Sequence, residues 1–128
     1  MIKNLATGLA ANRLLFGIGF LLAPQRVSRG WIGRAGGRPA VTVLARAVGA
    51  RDVVLGAGGL ASLADDGADP RPWFAAQAVG DTIDLLATQA ARDALPKSGY
   101  RLGIAMAGAS AAVAIAATVG LARDASAA

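Results

Sequence analysis

The chain has 128 residues, of which 55% are hydrophobic and 16% charged, and it carries a net charge of +5 from 11 Arg and 2 Lys against 8 Asp. It contains no Cys, His or Glu. Disulfides, thiol chemistry and imidazole or thiolate metal sites are therefore excluded, and a site built from Asp and carbonyls suits hard cations at best.

Length allows a single domain, 1–128. The mean hydropathy of +0.50 is high, and the charged fraction lies below the quarter or so usual in soluble domains. The abundance of Ala and Gly, with Arg far above Lys, matches the coding bias of a GC-rich bacterial genome. Four apolar runs, at about 5–23, 40–63, 73–91 and 102–121, predict an all-α fold: a four-transmembrane-helix bundle that occupies the whole chain.

The first run, LATGLAANRLLFGIGFLLA, spans roughly 28 Å as a helix, close to the ~30 Å hydrocarbon core. Lys3 ahead of it raises a signal peptide as the competing reading. Arg13 inside the apolar stretch, and the lack of an A-x-A-like site before Pro24, favour a retained helix. The segment PQRVSRGWIGRAGGRP follows, with two prolines and four glycines, and is expected to be a loop. Arg26, Arg29, Trp31, Arg34 and Arg38 within it are candidates for contact with anionic lipid head groups, each Arg contributing about 1 kcal/mol near the surface. The plainer alternative is a topology signal and nothing more.

The second run, Ala40 to Leu63, holds Arg46, Arg51 and Asp52. A polar turn, ADDGADPRP, leads to the third run, Trp73 to Ala91, which holds Gln77, Asp81 and Asp84 among other polar residues. A second basic stretch, RDALPKSGYR, precedes the fourth run, Leu102 to Leu121, which has no charge. The first and third loops carry Arg26, Arg29, Arg34, Arg38, Arg92, Lys97 and Arg101. The opposite side carries Lys3, Arg71 and Arg123. The excess of Lys and Arg predicts that the first and third loops are cytoplasmic, with both termini outside, in a bacterial inner membrane. Trp31, Trp73 and Tyr100 fall near the expected interfaces.

Charges inside apolar runs carry the functional question. An isolated Asp or Arg at a helix centre costs about 2.5–3.5 kcal/mol on the insertion scale, so pairing is close to obligatory. In an antiparallel hairpin of the second and third runs, Arg46 falls near Asp84 and Arg51 near Asp81. Asp52, about 100° round from Arg51, faces Arg13. The candidate network is Arg13, Arg46, Arg51, Asp52, Asp81 and Asp84, three charges of each sign. It reads either as a proton or ion relay or as a structural lock that fixes helix register. Full neutralisation favours the lock.

Three other patterns bear on function. VVLGAGGLA (Val53 to Ala61) matches G-x-G-x-x-A, but the chain breaks at ADDGADPRP within two turns and no second strand follows, so a dinucleotide site is not expected. Close helix approach is the alternative role for these glycines. Gly108, Ala112, Ala116 and Gly120, and Ala76, Gly80 and Asp84, form small-xxx-small rows suited to helix packing, inside the bundle or against a partner or second copy. The arginines flank apolar spans and form no single stripe, so nucleic acid is not an expected partner.

The stretch RAVGARDVVLG, with Gly49, Arg51, Asp52 and Gly56 in G-x-R-D-x-x-x-G spacing and Asp81 and Asp84 on the next run, resembles small four-helix bacterial membrane proteins classed as domains of unknown function. The resemblance covers most of the chain and implies a four-helix integral membrane fold. It implies no activity.

The sequence therefore predicts a small multi-pass inner-membrane protein acting as an accessory or scaffold subunit of a membrane assembly. Its expected partners are membrane lipids with anionic head groups at the cytoplasmic face, and another membrane protein or a second copy. The alternative is a small transporter or proton-coupled carrier using Asp81 and Asp84 as titrating carboxylates, with Arg51 as counter-ion. No catalytic residue, cofactor or metal ligand is expected. An enzyme is the least favoured class, because Asp and Arg would have to serve as base and nucleophile.

Overall fold

The structure, a computed structural model, describes residues 1–126. Among them there is no strand: the chain is all-α, with five α-helices and one 3-10 turn. They are α1 (Ile2–Leu22), α2 (Pro24–Ile32), a 3-10 turn (Gly33–Gly37), α3 (Pro39–Ala64), α4 (Arg71–Ala90) and α5 (Lys97–Ser126). Proline opens α2, α3 and α4 in the first helical turn, where its missing N–H costs nothing and its fixed φ suits the helix. Gly33 ends α2 at φ 68°, a conformation that side-chain-bearing residues rarely adopt.

Four long helices pack as neighbours in the order α1, α3, α4, α5, with α5 closing back on α1. Adjacent helices run antiparallel. The tightest pairs are α1 with α3 and α4 with α5, whereas the hairpin pair α3 and α4 touches more lightly. The α1–α3 contact explains the glycines of the second apolar run. A Cβ on Gly17 would lie 2.7 Å from the Gly49 carbonyl oxygen, and one on Gly56 would lie 2.6 Å from the Leu14 nitrogen. The two backbones therefore meet with no room for a side chain. All of Val53 to Ala61 is helical, which removes the strand that a dinucleotide fingerprint requires.

The stretch expected to be a loop after α1 is largely helical. Pro24, Val27, Ser28 and Trp31 recur at helical spacing, and they form the inward face of α2. Its carbonyl end lies on the start of α5: a Cβ at Gly99 would meet the Trp31 carbonyl, and one at Gly103 would lie 2.5 Å from Trp31 Nε1. In the polar turn before α4, Asp69 accepts hydrogen bonds from the Arg71 side chain (2.8 Å) and backbone N–H (3.0 Å). The side-chain bond above all holds its carboxyl below the usual range.

The radial distribution of polarity is unusual. The core is small-residue and polar: Ala6, Ala10, Ala114 and Ala117 are buried, and so are Arg13, Asp52, Gln77, Asp81 and Thr88. Phe74 and Gln77 are the largest fully buried side chains. The outer surface carries Leu15 and Leu22 on α1, Val43, Leu44 and Val54 on α3, Val79, Ile83 and Leu86 on α4, and Leu102, Ile115 and Val119 on α5. Two helices, α1 and α5, are long and apolar enough to cross a membrane, with mean hydropathies of 1.6 and 2.0 over their most apolar 18 residues.

The small-residue row on α5 is divided: Gly108 and Gly120 face Leu85 and Ile2 within the bundle. Ala112 and Ala116 are exposed, and the bundle-facing positions are Gly103, Ala111, Ala114, Ala117 and Leu121.

Candidate functional site

The buried charges meet at mid-height in the bundle, and Arg13 is their hub. At 6% exposure its guanidinium reaches three helices. Nε donates to Gln77 Oε1 (3.1 Å), Nη1 donates to Asp52 Oδ1 (3.0 Å), and Nη2 donates to both Asp81 Oδ2 and Ser110 Oγ, the latter at 3.0 Å. The Ser110 hydroxyl itself donates a hydrogen bond to Asp81 Oδ2 at 2.6 Å. Gln77 in turn donates Nε2 to the Leu55 carbonyl oxygen (3.3 Å). A buried guanidinium with four partners is the arrangement that low-dielectric surroundings demand, since each unmade bond there is costly.

A second cation flanks the hub. Arg51 donates to both oxygens of Asp84, at 2.8 and 3.4 Å, and through Nε to Asp52 Oδ1 at 3.1 Å. Its side chain is 34% exposed and that of Asp84 26%, so this pair lies nearer the bundle surface than Arg13 does. Asp52 bridges the two arginines. The helical phase explains the division: Asp52 follows Arg51 by one residue and points about 100° away, toward α1, while Arg51 faces α4.

Of the six residues expected to form the network, the structure brings five together. The pairings differ from those expected in register: Asp84 is the partner of Arg51 and Asp81 that of Arg13. Arg46 lies outside the cluster, exposed on α3, with no ion pair to another described residue. Five residues separate Arg46 from Arg51, a turn of roughly 140° about the axis, so the two cannot face the same neighbour. The cluster consequently contains two arginines and three aspartates, Arg13 and Arg51 against Asp52, Asp81 and Asp84, and the expected neutrality is absent.

The basic residues Arg26, Arg29, Arg34 and Arg38 are exposed on α2 and the turn after it. Trp31, grouped with them as a head-group contact, instead turns inward. Its Nε1 is buried with no hydrogen-bond partner among the described residues, and so is the Thr88 hydroxyl. Ser110 and Gln77 had no place in the expected network. Ser110 is one of several hydroxyls in an alanine-rich helix, and nothing in its neighbours marks it. Gln77 precedes Asp81 by four residues, which places it on the same face of α4 and is the signal that would have found it.

A cleft of about 390 Å³ opens between α1 and α5, above the cluster. Its walls are mostly apolar: Leu9, Phe16 and Phe20 from α1, Val27 and Trp31 from α2, and Leu102, Met106 and Val113 from α5. Its floor holds Arg13, Asp52, Asp81, Asp84 and Ser110. Phe16 and Phe20 stack edge to face, with centroids 5.1 Å apart. Every hydrogen bond made to Asp52 by a described residue ends on Oδ1, and every one to Asp81 on Oδ2. The second oxygen of each carboxylate takes no hydrogen bond from a described residue. No group of three or more Asp residues at metal-binding spacing occurs among the described residues.

Comparison with protein-family models, curated proteins and solved structures finds no match to this chain.

Proposed function

We propose that the chain is a four-span protein of a bacterial inner membrane that acts as a small proton-coupled carrier, with the Arg/Asp cluster as its exchange site. The carrying observation is the charge count at the floor of an apolar-walled cleft, two arginines against three aspartates. One carboxylate charge has no arginine to balance it. In a membrane interior that charge is neutralised by a proton or by a bound cation, and a site that takes either in turn couples their movements.

The four-span reading draws support from the polarity of the bundle. All four long helices expose Leu, Ile or Val outward, and α1, α3 and α4 place charges inward, the arrangement that suits lipid as solvent. At 1.5 Å per residue even α4, the shortest with 20 residues, reaches about 30 Å. Arg46 then sits about 10 Å from the start of α3, near enough for its long side chain to reach the head-group region. The excess of basic residues in the first and third connections supports a cytoplasmic location for them, with both termini outside. The G-x-R-D-x-x-x-G core, likened above to that of uncharacterised four-helix membrane proteins, fits the same architecture.

The test is infrared spectroscopy of the purified protein near neutral pH, where ordinary exposed carboxylates are ionised and add no C=O band. One protonated carboxyl per chain is expected there, and its C=O band is expected to be absent in Asp84→Asn, where two arginines meet two aspartates. A wild-type spectrum without that band overturns the carrier reading.

A second reading, an accessory or scaffold subunit, is favoured by one feature. Ala105, Ala109, Ala112 and Ala116 form an exposed small-residue row along α5 that another helix could approach closely. Mild-detergent purification from native membranes with a stoichiometric second protein supports it. Recovery as a lone monomer removes it.

A further inference from the structure

We propose that the cleft between α1 and α5 binds an amphiphilic organic monocation, a molecule with one ammonium-type charge on an apolar body. This rests on the carrier reading and names the substrate class of the same site.

Three features converge on that chemistry. The first is charge: the floor carries one net negative charge, which a single cation neutralises and an anion would worsen. The second is the position of the free acceptors. Asp52 and Asp81 line the cleft, and each has one carboxylate oxygen that takes no hydrogen bond from a described residue. A primary or tertiary ammonium would donate there, and a quaternary one would sit against both. The third is the wall. Phe16 and Trp31 present aromatic surface within the same cleft, alongside Leu102 and Met106, with Phe20 packed edge to face behind Phe16. Aromatic faces attract organic cations, and the aliphatic side chains accept the apolar body. A volume of about 390 Å³ lies within the range of small-molecule sites, about 300–1,000 Å³.

Other occupants fit less well. A metal ion lacks a set of three acidic ligands among the described residues. An uncharged lipid chain would leave the acidic floor uncompensated.

Every charged group facing the site can be named. They are Arg13 on α1, Arg51 and Asp52 on α3, and Asp81 and Asp84 on α4; α5 supplies only the Ser110 hydroxyl and α2 the Trp31 indole. A proton entering this set removes the negative excess, so acid pH weakens cation binding.

The experiment is calorimetric titration of the full chain, in nanodiscs of zwitterionic lipid, with dodecyltrimethylammonium and with its neutral counterpart dodecyldimethylphosphine oxide. Empty discs supply the partition background. Saturable binding of one cation per chain is expected, with none for the neutral compound, and with a heat that depends on buffer because a proton is released. Asp84→Asn should weaken cation binding about tenfold or more, the low end of what one unit charge near contact contributes at a protein surface. This variant leaves both arginines paired. Ala109→Trp fills the cleft from its exposed α5 wall without touching a charge, and should abolish binding. Equal uptake of cation and neutral compound, or binding unchanged in both variants, overturns the proposal. The two readings fail separately. A cluster that binds a proton but no cation removes the site assigned here and leaves the proton chemistry, whereas saturable cation binding without proton release keeps the site and removes the coupling.

Discussion

Replacing Arg13 by Met removes the hub of the buried cluster while keeping an unbranched side chain of comparable length. Four hydrogen bonds are lost, to Gln77, Asp52, Asp81 and Ser110. Asp52 retains Arg51 at 3.1 Å, but Asp81 keeps only the Ser110 hydroxyl. One arginine then faces three aspartates. Breaking a buried pair by removing one partner costs about 3–5 kcal/mol, and leaving Gln77 Oε1 without a donor adds about 1–3 kcal/mol. In the membrane bundle proposed above, hydrogen bonds fall at the lower end of such ranges, so about 4 kcal/mol is the working figure. That is a large share of the 5–15 kcal/mol that holds a typical domain folded. The assay is thermal unfolding in mild detergent, followed by tryptophan fluorescence, with membrane accumulation as a second readout. Arg13→Met should accumulate poorly and unfold at a markedly lower temperature. Adding Asp81→Asn to Arg13→Met removes the stranded carboxylate and should recover about 1–3 kcal/mol relative to additivity. An Arg13→Met protein as stable as wild type, or a strictly additive double variant, would refute the assignment of Arg13 as the centre of the network.

Two further perturbations test the architecture around the cluster. Gly17→Ala and Gly56→Ala each place a Cβ within 2.7 Å of opposing backbone, so α1 and α3 must separate; a loss of about 1–3 kcal/mol in unfolding free energy is expected, and wild-type stability would contradict the close contact. The orientation is checked by cysteine accessibility in intact cells: Asp66→Cys should react with an impermeant thiol reagent and Arg34→Cys should not, the reverse pattern overturning the proposed topology.

Much of the fold was legible in the one-dimensional pattern. Long apolar runs separated by Pro, Gly and Asp clusters specify helices, because backbone groups within an apolar run must be satisfied internally and turns need residues that break that pattern. The charges interrupting those runs marked the cluster before any contact was known, since an unpaired buried charge is too costly to leave. The short helix α2 was also there to be read. Pro24 opens it, Gly33 closes it, and Pro24, Val27, Ser28 and Trp31 share one face, although its glycines and arginines argue for a loop.

What only the tertiary structure decided is how each helix is rotated and which neighbour it meets. Helical phase fixes that Arg51 and Asp52 diverge by about 100°, but not which helix lies in either direction. That choice came from packing: Gly17, Gly49 and Gly56 let α1 rather than α4 take the closest place beside α3, which aims Asp52 at Arg13 and leaves Arg46 outside. Ser110 joined the cluster because the antiparallel α5 brings it level with Arg13 and Asp81, a coincidence of height that no local pattern encodes. The sequence alone determined that buried charges must be paired. Helix rotation decided that the pairing is unequal, and the one carboxylate in excess lies at the floor of the α1–α5 cleft.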